Sequence, residues 1–317
     1  MTSPSESGLI ATLLSRVPRV LGHEGPGDDA AVLPPRGQRV ITTDALIEGT
    51  HFLRAHPPEA LGYKALAVNL SDVAAMGATP EAFVISVALP PLPDGWWEAF
   101  CDGLGTCARE AGVVVVGGDT VRSPAGIALT ITAWGLGDDL LTRAAGRSGD
   151  TLMVAGVIGR SGVGLSRWLA RQDVDWADPC LAHHLRPTPP LWAGPLAARL
   201  GVRCGMDLSD GLATDLPRLA LESDLALEVD LDALPHDLAL TIDPIERART
   251  GEDYGLVILA PSALVPQLEP HGFAPIGRAR PAGSDGPRVI WRLAGEELGP
   301  LAPSFGHFDG DRIATKS

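Results

Sequence analysis

Residues 64–78 read KALAVNLSDVAAMGA, and this stretch decides how the first half of the chain folds. Its Ala and Leu content predicts a helix over residues 58–76 that ends at Gly77. Asp72 lies inside this otherwise apolar run. Most carboxylates of a protein are solvated at the surface, and a carboxylate inside an apolar helix is unlike them. Asp72 is therefore the first candidate for a functional site.

Helices and strands alternate on both sides of this helix, which predicts a two-domain α/β (α+β) fold. The polar stretch over residues 144–150 separates two halves of similar size, so we predict domains over residues 1–145 and 146–317. The predicted helices cover residues 5–17, 58–76, 94–111, 163–171, 178–186, 189–200, 210–222 and 262–271. The predicted strands cover residues 30–33, 38–43, 82–89, 113–116, 126–135, 151–157, 202–207, 225–231, 255–260, 274–280 and 288–293.

The composition limits the partners that the protein can have. The chain has 317 residues, with 39 Asp and Glu against 25 Lys and Arg, so its net charge is −14. We expect no nucleic-acid or membrane partner, because both attract basic patches. An anionic substrate can bind only together with cations. The N-terminus shows no secretory signal and the four cysteines form no CxxC pair, so we expect a cytoplasmic protein with reduced thiols.

Further carboxylates recur beside the predicted strands. Asp44 follows the strand that ends in Thr42 and Thr43, and Asp119 follows a run of four valines after two glycines. Sites of α/β proteins form at strand ends. Taken singly, each carboxylate also has a structural explanation as a turn or helix cap. The other candidates are Asp28 and Asp29 in the glycine-rich loop over residues 22–29, Asp207 and Asp210 in MDLSDG, and Glu252 and Asp253 in GEDY.

Several carboxylates in one place would require bound cations. Two like charges about 4 Å apart repel by roughly 4 kcal/mol at an effective dielectric constant near 20. Hard oxygen ligands without His or Cys indicate Mg²⁺, Mn²⁺ or Ca²⁺ rather than zinc. The hydroxyl and carbonyl oxygens of Thr42 and Thr43 are ligands of the same hard type.

Glycines indicate a second kind of contact. Gly117 and Gly118 allow the backbone to approach a ligand closely. Gly159, Gly162 and Gly164 form a GxxGxG stretch before a predicted helix, which is either a phosphate-binding turn or a plain strand–helix turn. The chain contains no GxxxxGKS or GxxxxGKT and neither HRD nor DFG, so it is not a P-loop protein or a protein kinase.

Seven motifs together resemble those of one protein family. They are GDDAA (27–31), TTD with GTHF (42–44 and 49–52), KALAVNLSDVAAMGA (64–78), GGDT (117–120), LTR (141–143), DLSDGL (207–212) and GEDY (251–254). The chain resembles the thiamine-monophosphate kinases, members of the superfamily that includes aminoimidazole ribonucleotide synthetase and selenophosphate synthetase. The resemblance covers nearly the whole chain. The NLSDVAAMGA and THF segments are specific, whereas GGDT and GEDY alone indicate only the superfamily.

The resemblance implies a fold, a reaction and a set of site residues. It implies a homodimer in which the sheets of the N-terminal domains form a barrel-like core, with ATP in a cleft beside that interface. The implied reaction converts ATP and thiamine monophosphate to ADP and thiamine diphosphate with several Mg²⁺ ions. The implied metal ligands are Asp28, Thr42, Thr43, Asp44, Asp72, Asp119, Asp207 and Asp210. The implied nucleotide contacts are Gly118, Asp119, Arg143 and Ser209, the substrate contacts are His51, Glu252 and Phe305, and the catalytic residues are Asp44, Asp119, Asp210 and Arg143.

The expected chemistry is in-line transfer of the γ-phosphoryl group of ATP to the phosphate of thiamine monophosphate. That phosphate needs no strong general base, because its second pKa is about 6 and it is ionised near neutral pH. Donor and acceptor are both anionic, so Mg²⁺ ions are expected to bridge them. The aspartates then act as ligands rather than as nucleophiles.

The chain departs from the family's pattern at its C-terminus, and two other functions stay open. Phe305 stands where the family has Trp or Tyr, Gly306 replaces an acidic residue, and Thr250 and Gly255 also differ, which leaves the anchoring of the thiamine ring open. The alternative function is that of another ATP-using enzyme of the superfamily, such as aminoimidazole ribonucleotide synthetase or a hydrogenase-maturation dehydratase. The absence of a cysteine before Asp28 argues against selenophosphate synthetase. A non-catalytic acidic module that binds Ca²⁺ or a partner protein is the third interpretation, although no run of ligands like that of an EF-hand occurs.

Overall fold

The structure is a computed structural model that describes residues 6–18, 38–171, 173–235, 237–240 and 242–302. These residues form two compact units. The N-terminal unit contains the described residues up to Val73 together with Thr79–Gly137, and the C-terminal unit contains Ala74–Ala78 and the residues from Asp138 onward. Each unit combines helices with one sheet, which confirms the predicted two-domain α/β fold. The boundary between residues 145 and 146 stays a prediction.

The N-terminal unit is built on a four-stranded sheet. The strand order is β1-β4-β2-β3, so β1 and β3 form the two edges. β4 pairs antiparallel with both β1 and β2, whereas β2 and β3 run parallel and are connected through α3. The elements are α1 (Glu6–Arg16), β1 (Gln38–Ile47), α2 (Pro58–Ala75), β2 (Thr79–Leu89), α3 (Trp96–Ala111), β3 (Val114–Arg122) and β4 (Ala128–Gly137).

The helix α2 is buried and closely packed. Leu61, Leu66 and Leu70 of α2 are each at most 1% exposed. The backbones of α2 and α3 touch, since a Cβ atom on Gly103 of α3 would lie 1.7 Å from the carbonyl oxygen of Glu59. Only glycine permits this approach. The packing therefore fixes which face of α2 is turned toward the sheet.

The two faces of this sheet differ in their burial. α2 lies against the face that carries Leu46 and Ile131, which are 6% and 1% exposed. The strand register places Ile41, Ile47 and Val121 together on the opposite face. Their exposed fractions are 66%, 40% and 48%. In the single chain, this second face is an open apolar surface, which we call the open sheet face.

The C-terminal unit contains a seven-stranded sheet of order β11-β10-β7-β9-β5-β8-β6. The pair β7–β10 is parallel, and the other five pairs are antiparallel. Leu212, Leu216 and Leu219 recur at helical spacing on α7 and are fully buried in the core of this unit. The elements are β5 (Thr151–Ala155), α4 (Arg160–Arg171), α5 (Pro179–Leu185), α6 (Ala193–Leu200), β6 (Cys204–Leu208), α7 (Leu212–Ser223), β7 (Leu225–Asp230), α8 (Pro244–Arg249), β8 (Gly255–Ala260), α9 (Val265–Leu268), β9 (Ala274–Pro281), β10 (Arg288–Leu293) and β11 (Glu296–Leu298).

Two strands extend four or more residues beyond their predicted ends. β1 continues to Ile47 and β3 to Arg122, so Asp44 and Asp119 lie within strands. The prediction that these two aspartates follow strand ends is wrong. β4 runs beside the whole of β1 and β2 runs beside the end of β3, so the ladder hydrogen bonds continue past the polar residues.

The remaining differences concern short elements. The sequence did not predict α8 and β11, because six and three residues are too few to show a hydrophobic period. The helix predicted over residues 262–271 is divided into α9 and a 3-10 turn on each side of it. The predicted loop over residues 22–29 and strand over residues 30–33 lie outside the described residues. Over the described part of the chain, no helix has both the length and the apolarity that crossing a membrane requires.

The sheet of the C-terminal unit is stabilised by one carboxylate that holds three arginines. Glu228 on β7 binds Arg278 at 2.7 Å, Arg280 at 2.5 Å and Arg292 at 2.6 Å. The hydrogen bond from Arg278 is the main reason why the pKa of Glu228 falls to about 2, with further lowering by Arg292 and Arg280 and opposition from burial. A carboxyl whose pKa is lowered in the folded state stabilises the fold above its unfolded pKa, and this contribution is lost as the pH falls.

We therefore expect Glu228→Gln to destabilise the protein by about 1–2 kcal/mol at pH 7. The difference from the unsubstituted chain should shrink as the pH falls from about 4.5 toward 2, where the native Glu228 becomes protonated. Thermal unfolding at pH 7, 4 and 3 measures both effects. Glu269→Gln, at an exposed position of the same unit, is the control and should leave the melting temperature unchanged at each pH. A melting-temperature difference for Glu228→Gln that is independent of pH would contradict the assignment.

Candidate functional site

Four of the polar residues in the N-terminal unit meet between β1 and α2. Thr42 and Asp44 alternate with Thr43 along β1, so their side chains point to the face that α2 covers. Asn69 and Asp72 lie one turn apart on α2 and face β1. The hydroxyl of Thr42 donates to Asp72 Oδ2 at 2.7 Å, and the backbone N–H of Asp44 donates to Asn69 Oδ1 at 3.0 Å. We call these four residues the β1–α2 cluster.

The electrostatics of the β1–α2 cluster suit a hard cation. Burial raises the pKa of Asp44 to about 6, and the nearby Asp72 carboxylate adds to this shift. A cation beside Asp44 and Asp72 would relieve both causes. Within the described ranges, no three His, Cys, Asp or Glu side chains come close enough together to hold a metal ion. Mg²⁺ is compatible with this smaller set, since it commonly takes one or two carboxylates and keeps several waters or phosphate oxygens.

Thr43 points away from this cluster. Its hydroxyl donates to the carbonyl of Ile131 at 3.1 Å and lies 2.9 Å from the hydroxyl of Thr132. Both threonine side chains belong to the open sheet face, because Thr43 and Thr132 are paired in the register. The side chains of Thr43 and Asp44 therefore lie on opposite faces of the sheet. Only the backbone of Thr43 lies beside Asp44.

Asp119 is also separated from Asp44 within one chain. Asp44 pairs with Ile131, Ile131 with Ile85, and Ile85 with Gly118, so three strand spacings lie between the two edges. Three spacings correspond to roughly 14 Å. The side chain of Asp119 is exposed and shares the open sheet face, because Asp119 pairs with Ser86 on that side. Gly118 is required by the fold, since a Cβ atom there would lie 2.1 Å from the Ile85 carbonyl oxygen.

His51 lies in the turn that follows β1. Its Nδ1 accepts a hydrogen bond from the backbone N–H of Ile47 at 3.0 Å. Because a backbone N–H can only donate, Nδ1 carries no proton and Nε2 is the nitrogen that can donate outward. The backbone N–H of His51 in turn donates to the Ile47 carbonyl at 2.9 Å, which fixes the ring close to the strand end.

The C-terminal unit contains a second polar cluster around the DLSDG turn. Arg218 of α7 binds Asp210 at 2.6 Å and Asp215 at 3.0 Å, and the backbone N–H of Asp210 donates to Asp215 at 3.0 Å. Burial and the Asp210 charge raise the pKa of Asp215 to about 6, against lowering by Arg218 and Arg143. Asp207 on β6 is 6% exposed. A cation at Asp210 would compete directly with Arg218.

Arg143 is held near this cluster by its backbone. The Ser223 hydroxyl donates to the Arg143 carbonyl at 2.5 Å, and the Cys204 thiol lies 3.6 Å from the same oxygen. The Ser223 hydroxyl also accepts from the N–H of Gly146 at 3.2 Å. These contacts fix the 3-10 turn Arg143–Ala145 while the Arg143 side chain stays exposed. An exposed arginine on a fixed backbone is suited to binding phosphate.

The GEDY turn is tied to the DLSDG turn. The backbone N–H of Glu252 donates to the Ser209 carbonyl at 2.6 Å, and that of Tyr254 donates to the Leu208 carbonyl at 2.9 Å. The buried Asp253 carboxylate accepts from the N–H groups of Gly159 at 2.5 Å and Ser161 at 2.8 Å. The anion at the start of α4 is thus Asp253 of the chain itself, which favours the strand–helix interpretation of the GxxGxG stretch.

Sequence reasoning missed several residues of these clusters. Asn69 supports the Asp44 backbone, and the fully buried Asp215 supports Asp210. The spacing could have indicated both, because Asn69 lies three residues before Asp72 on one helix face and Asp215 lies in the first turn of α7. No sequence signal points to His184, which contacts Glu252 only through the fold. The predicted ligand Asp28 and the predicted substrate contact Phe305 lie outside the described residues.

Comparison with known proteins identifies the family. The profile described as AIR synthase related protein, N-terminal domain, matches residues 27–137, and the corresponding C-terminal domain profile matches residues 147–282. The thiamine-monophosphate kinase of Escherichia coli K12 is 38% identical over 269 residues, which cover 81% of this chain and 82% of that protein. The crystal structure of thiamine-monophosphate kinase from Stenotrophomonas maltophilia K279a is 34% identical with a TM-score of 0.78 and covers 92% of this chain and 95% of its own.

A structure of AaThiL complexed with AMPPCP and TMP is 31% identical, with a TM-score of 0.75 over 95% of this chain and 97% of that chain. The relatives thus match the chain over nearly its whole length and through both units. Their identities exceed what a shared fold alone would give. Six of the seven motifs that carry the resemblance lie within the two matched ranges, and LTR lies between them. The chain is a member of the thiamine-monophosphate kinase family.

Proposed function

We propose that this protein transfers the γ-phosphoryl group of ATP to thiamine monophosphate and so produces thiamine diphosphate and ADP. The observation that carries the proposal is the β1–α2 cluster, where Asp44 and Asp72 lie together with a raised Asp44 pKa. The family relatives are thiamine-monophosphate kinases, and AaThiL binds AMPPCP and TMP. ATP as the donor agrees with the cytoplasmic location that the sequence predicts.

Mg²⁺ is the cation that these residues fit best. The ligands proposed in the described units are Thr42, Asp44, Asp72, Asp119, Asp207 and Asp210, with the carbonyl oxygen of Thr43, and Asp28 is added by the family resemblance. Bound Mg²⁺ would neutralise the charge on the phosphates of the two anionic substrates. This neutralisation explains how a protein of net charge −14 can bind two anionic substrates.

The chain's own residues supply position and charge. The Asp72 carboxylate is held by Thr42, and the Asp44 backbone is fixed by Asn69, before a substrate arrives. Arg143 presents a planar fork of donors to the ATP phosphates from a fixed backbone. Ser209 and Gly118 contact the nucleotide, while His51 and Glu252 contact the substrate, His51 through a donating Nε2. No residue has to remove a proton, because the acceptor phosphate is already ionised near its second pKa of about 6.

We also propose that the active form is a homodimer closed through the open sheet face. This face carries Ile41, Ile47 and Val121, which are too apolar to be left in water at no cost. When two sheets of order β1-β4-β2-β3 close into one barrel whose two-fold axis runs along the barrel, β3 of one copy lies beside β1 of the other. In this dimer the β3 edge of one copy, which carries Asp119, lies next to the β1 edge of the other copy, which carries Asp44. Within a single chain the two edges lie apart.

Ile41→Glu is expected to convert the dimer to a monomer, because it places a charge in the middle of the apolar interface. Size-exclusion chromatography with light scattering measures the mass directly. Leu221→Glu is the matched control, since Leu221 on α7 has the same exposed fraction of 66% as Ile41 but lies in the other unit. A dimer that persists in Ile41→Glu would contradict the proposed interface, and a monomer in the unsubstituted protein would exclude the dimer.

The reaction is tested by chromatographic separation of the products from MgATP and thiamine monophosphate. Equal amounts of ADP and thiamine diphosphate are expected, only with a divalent cation and only from the monophosphate, with unphosphorylated thiamine as the control. ADP without thiamine diphosphate would overturn the proposed acceptor and favour another superfamily substrate. A folded protein that forms neither product would overturn the kinase function itself.

A further inference from the structure

The GEDY turn is strained at two positions that are not glycine. Glu252 has φ of 64° and Tyr254 has φ of 53°, both in the left-handed region. Such a conformation is unfavourable for a residue with a side chain. A turn of this kind persists only where surrounding contacts hold it. The strained backbone at Glu252 therefore indicates a functional reason for these contacts.

Asp253 provides the anchor between the two strained residues. Its side chain is 3% exposed and accepts hydrogen bonds from the backbone N–H groups of Gly159, just before α4, and of Ser161, in the first turn of α4. The carbonyl of Asp253 is 3.2 Å from His183 Nε2 on α5. The turn is therefore held from both sides by α4 and α5. With its backbone fixed, Glu252 can be directed by a single further contact to its side chain.

His184 supplies that contact. Its Nδ1 lies 3.4 Å from Glu252 Oε2 and 3.0 Å from the Ser161 hydroxyl. The His184 side chain is 5% exposed, whereas that of Glu252 is 29% exposed and remains accessible to a ligand. In the tautomer that carries the proton on Nδ1, this N–H can donate to Glu252 Oε2. The donor comes from a buried and therefore immobile ring.

We propose that His184 is a positioning residue that orients the Glu252 carboxylate toward the thiamine moiety of the substrate. This inference rests on the proposed function, because it assigns Glu252 to substrate binding. A carboxylate that is neutralised by a cationic arginine would attract a cationic ring weakly. Unlike an arginine, an imidazole can donate a hydrogen bond while uncharged, and in that state it leaves the negative charge of the carboxylate to the thiazolium or aminopyrimidine group. His184 acts on substrate binding through Glu252 and not on the phosphates.

The inference is tested with two variants of nearly equal shape, His184→Asn and His184→Leu. Both lose the ring, but only Asn keeps an N–H donor at the branch point. The KM for thiamine monophosphate should be about tenfold higher in His184→Leu than in His184→Asn. The kcat and the KM for ATP should differ between the two variants by less than about twofold. In a Glu252→Met background the difference between Asn and Leu should disappear, because the carboxylate that receives the donor is gone.

Ser161→Ala separates positioning from a structural role. It removes the hydroxyl next to His184 but keeps the backbone N–H that binds Asp253. The KM for thiamine monophosphate should stay within about twofold of the unsubstituted value. If Ser161→Ala reproduced the effect of His184→Leu, or if Asn and Leu differed equally in the Glu252→Met background, His184 would act on the fold rather than on Glu252.

The outcome of this series is distinct from that of the proposed function. Absence of thiamine diphosphate from the unsubstituted enzyme would exclude the function before any variant is compared. Thermal unfolding of each variant shows whether it folds. Should His184→Leu fail to fold, His184→Ala takes its place, because Ala also lacks a donor. Its KM for thiamine monophosphate must then exceed that of His184→Asn, and equal values would overturn the positioning role. Active enzyme with equal KM values in His184→Asn and His184→Leu would overturn the positioning role alone.

Discussion

Asp44→Asn is expected to lower kcat by about 10³-fold or more, because it removes a charge that stabilises the transferring phosphoryl group through the metal. The substitution preserves the volume of the side chain. It also preserves the backbone contact from Asp44 to Asn69. Since burial and Asp72 disfavour the charged form of Asp44, the neutral amide should not lower the melting temperature. The measurement is the steady-state rate of thiamine diphosphate formation with MgATP, together with thermal unfolding.

Asp102→Asn is the matched control for this prediction. Asp102 belongs to the same unit and undergoes the same chemical change, but its side chain is 54% exposed and pairs with Arg16 on the surface. Its kcat should stay within about twofold of the unsubstituted enzyme. Near-normal kcat in Asp44→Asn would exclude Asp44 as a metal ligand. A large loss in both variants would point to a general dependence on acidic charge rather than to the β1–α2 cluster.

Mixing Asp44→Asn with Asp119→Asn should restore activity that neither variant has alone. If a site takes Asp44 from one copy and Asp119 from the other, each mixed dimer has one site with both changes and one intact site. Random exchange makes about half of the dimers mixed, so about a quarter of the normal activity should return. Differently tagged copies, purified through both tags after unfolding and refolding together, isolate the mixed dimer for the assay.

The control for this experiment is a mixture of Asp44→Asn with the double variant Asp44→Asn/Asp119→Asn. Every site of that mixture lacks Asp44, so no activity should return. A verified mixed dimer of the two single variants without activity would show that both aspartates act from the same chain. In that case the edge strands would have to move, because the two aspartates lie roughly 14 Å apart across the sheet.

Much of the fold could be predicted because its signals are local. The apolar run of α2 and the valines of β3 identify buried elements by composition alone. The motifs DLSDG and GEDY predict turns, because glycine and aspartate favour turn conformations locally. Strand ends were less predictable, because the length of β1 depends on its pairing with β4, which is distant in the chain.

The candidate site divides in the same way. The hard oxygen atoms of these residues are visible in the sequence, and they indicate a cation and an anionic substrate. The sequence also indicated that Asp72 is unusual, since a carboxylate in a buried helix is recognisable from its neighbours. It could not indicate that Thr43 points away from Asp44, because that depends on which face of β1 the helix α2 covers.

Which of these residues meet depends on how distant segments of the chain pair and pack. The sheet order places Asp44 and Asp119 on opposite edges, and the register turns them to opposite faces. His184 reaches Glu252 across 68 positions of sequence because α5 packs beside the turn before β8. Such contacts arise from strand pairing and helix packing between distant segments, and a periodic pattern along the chain carries no record of them.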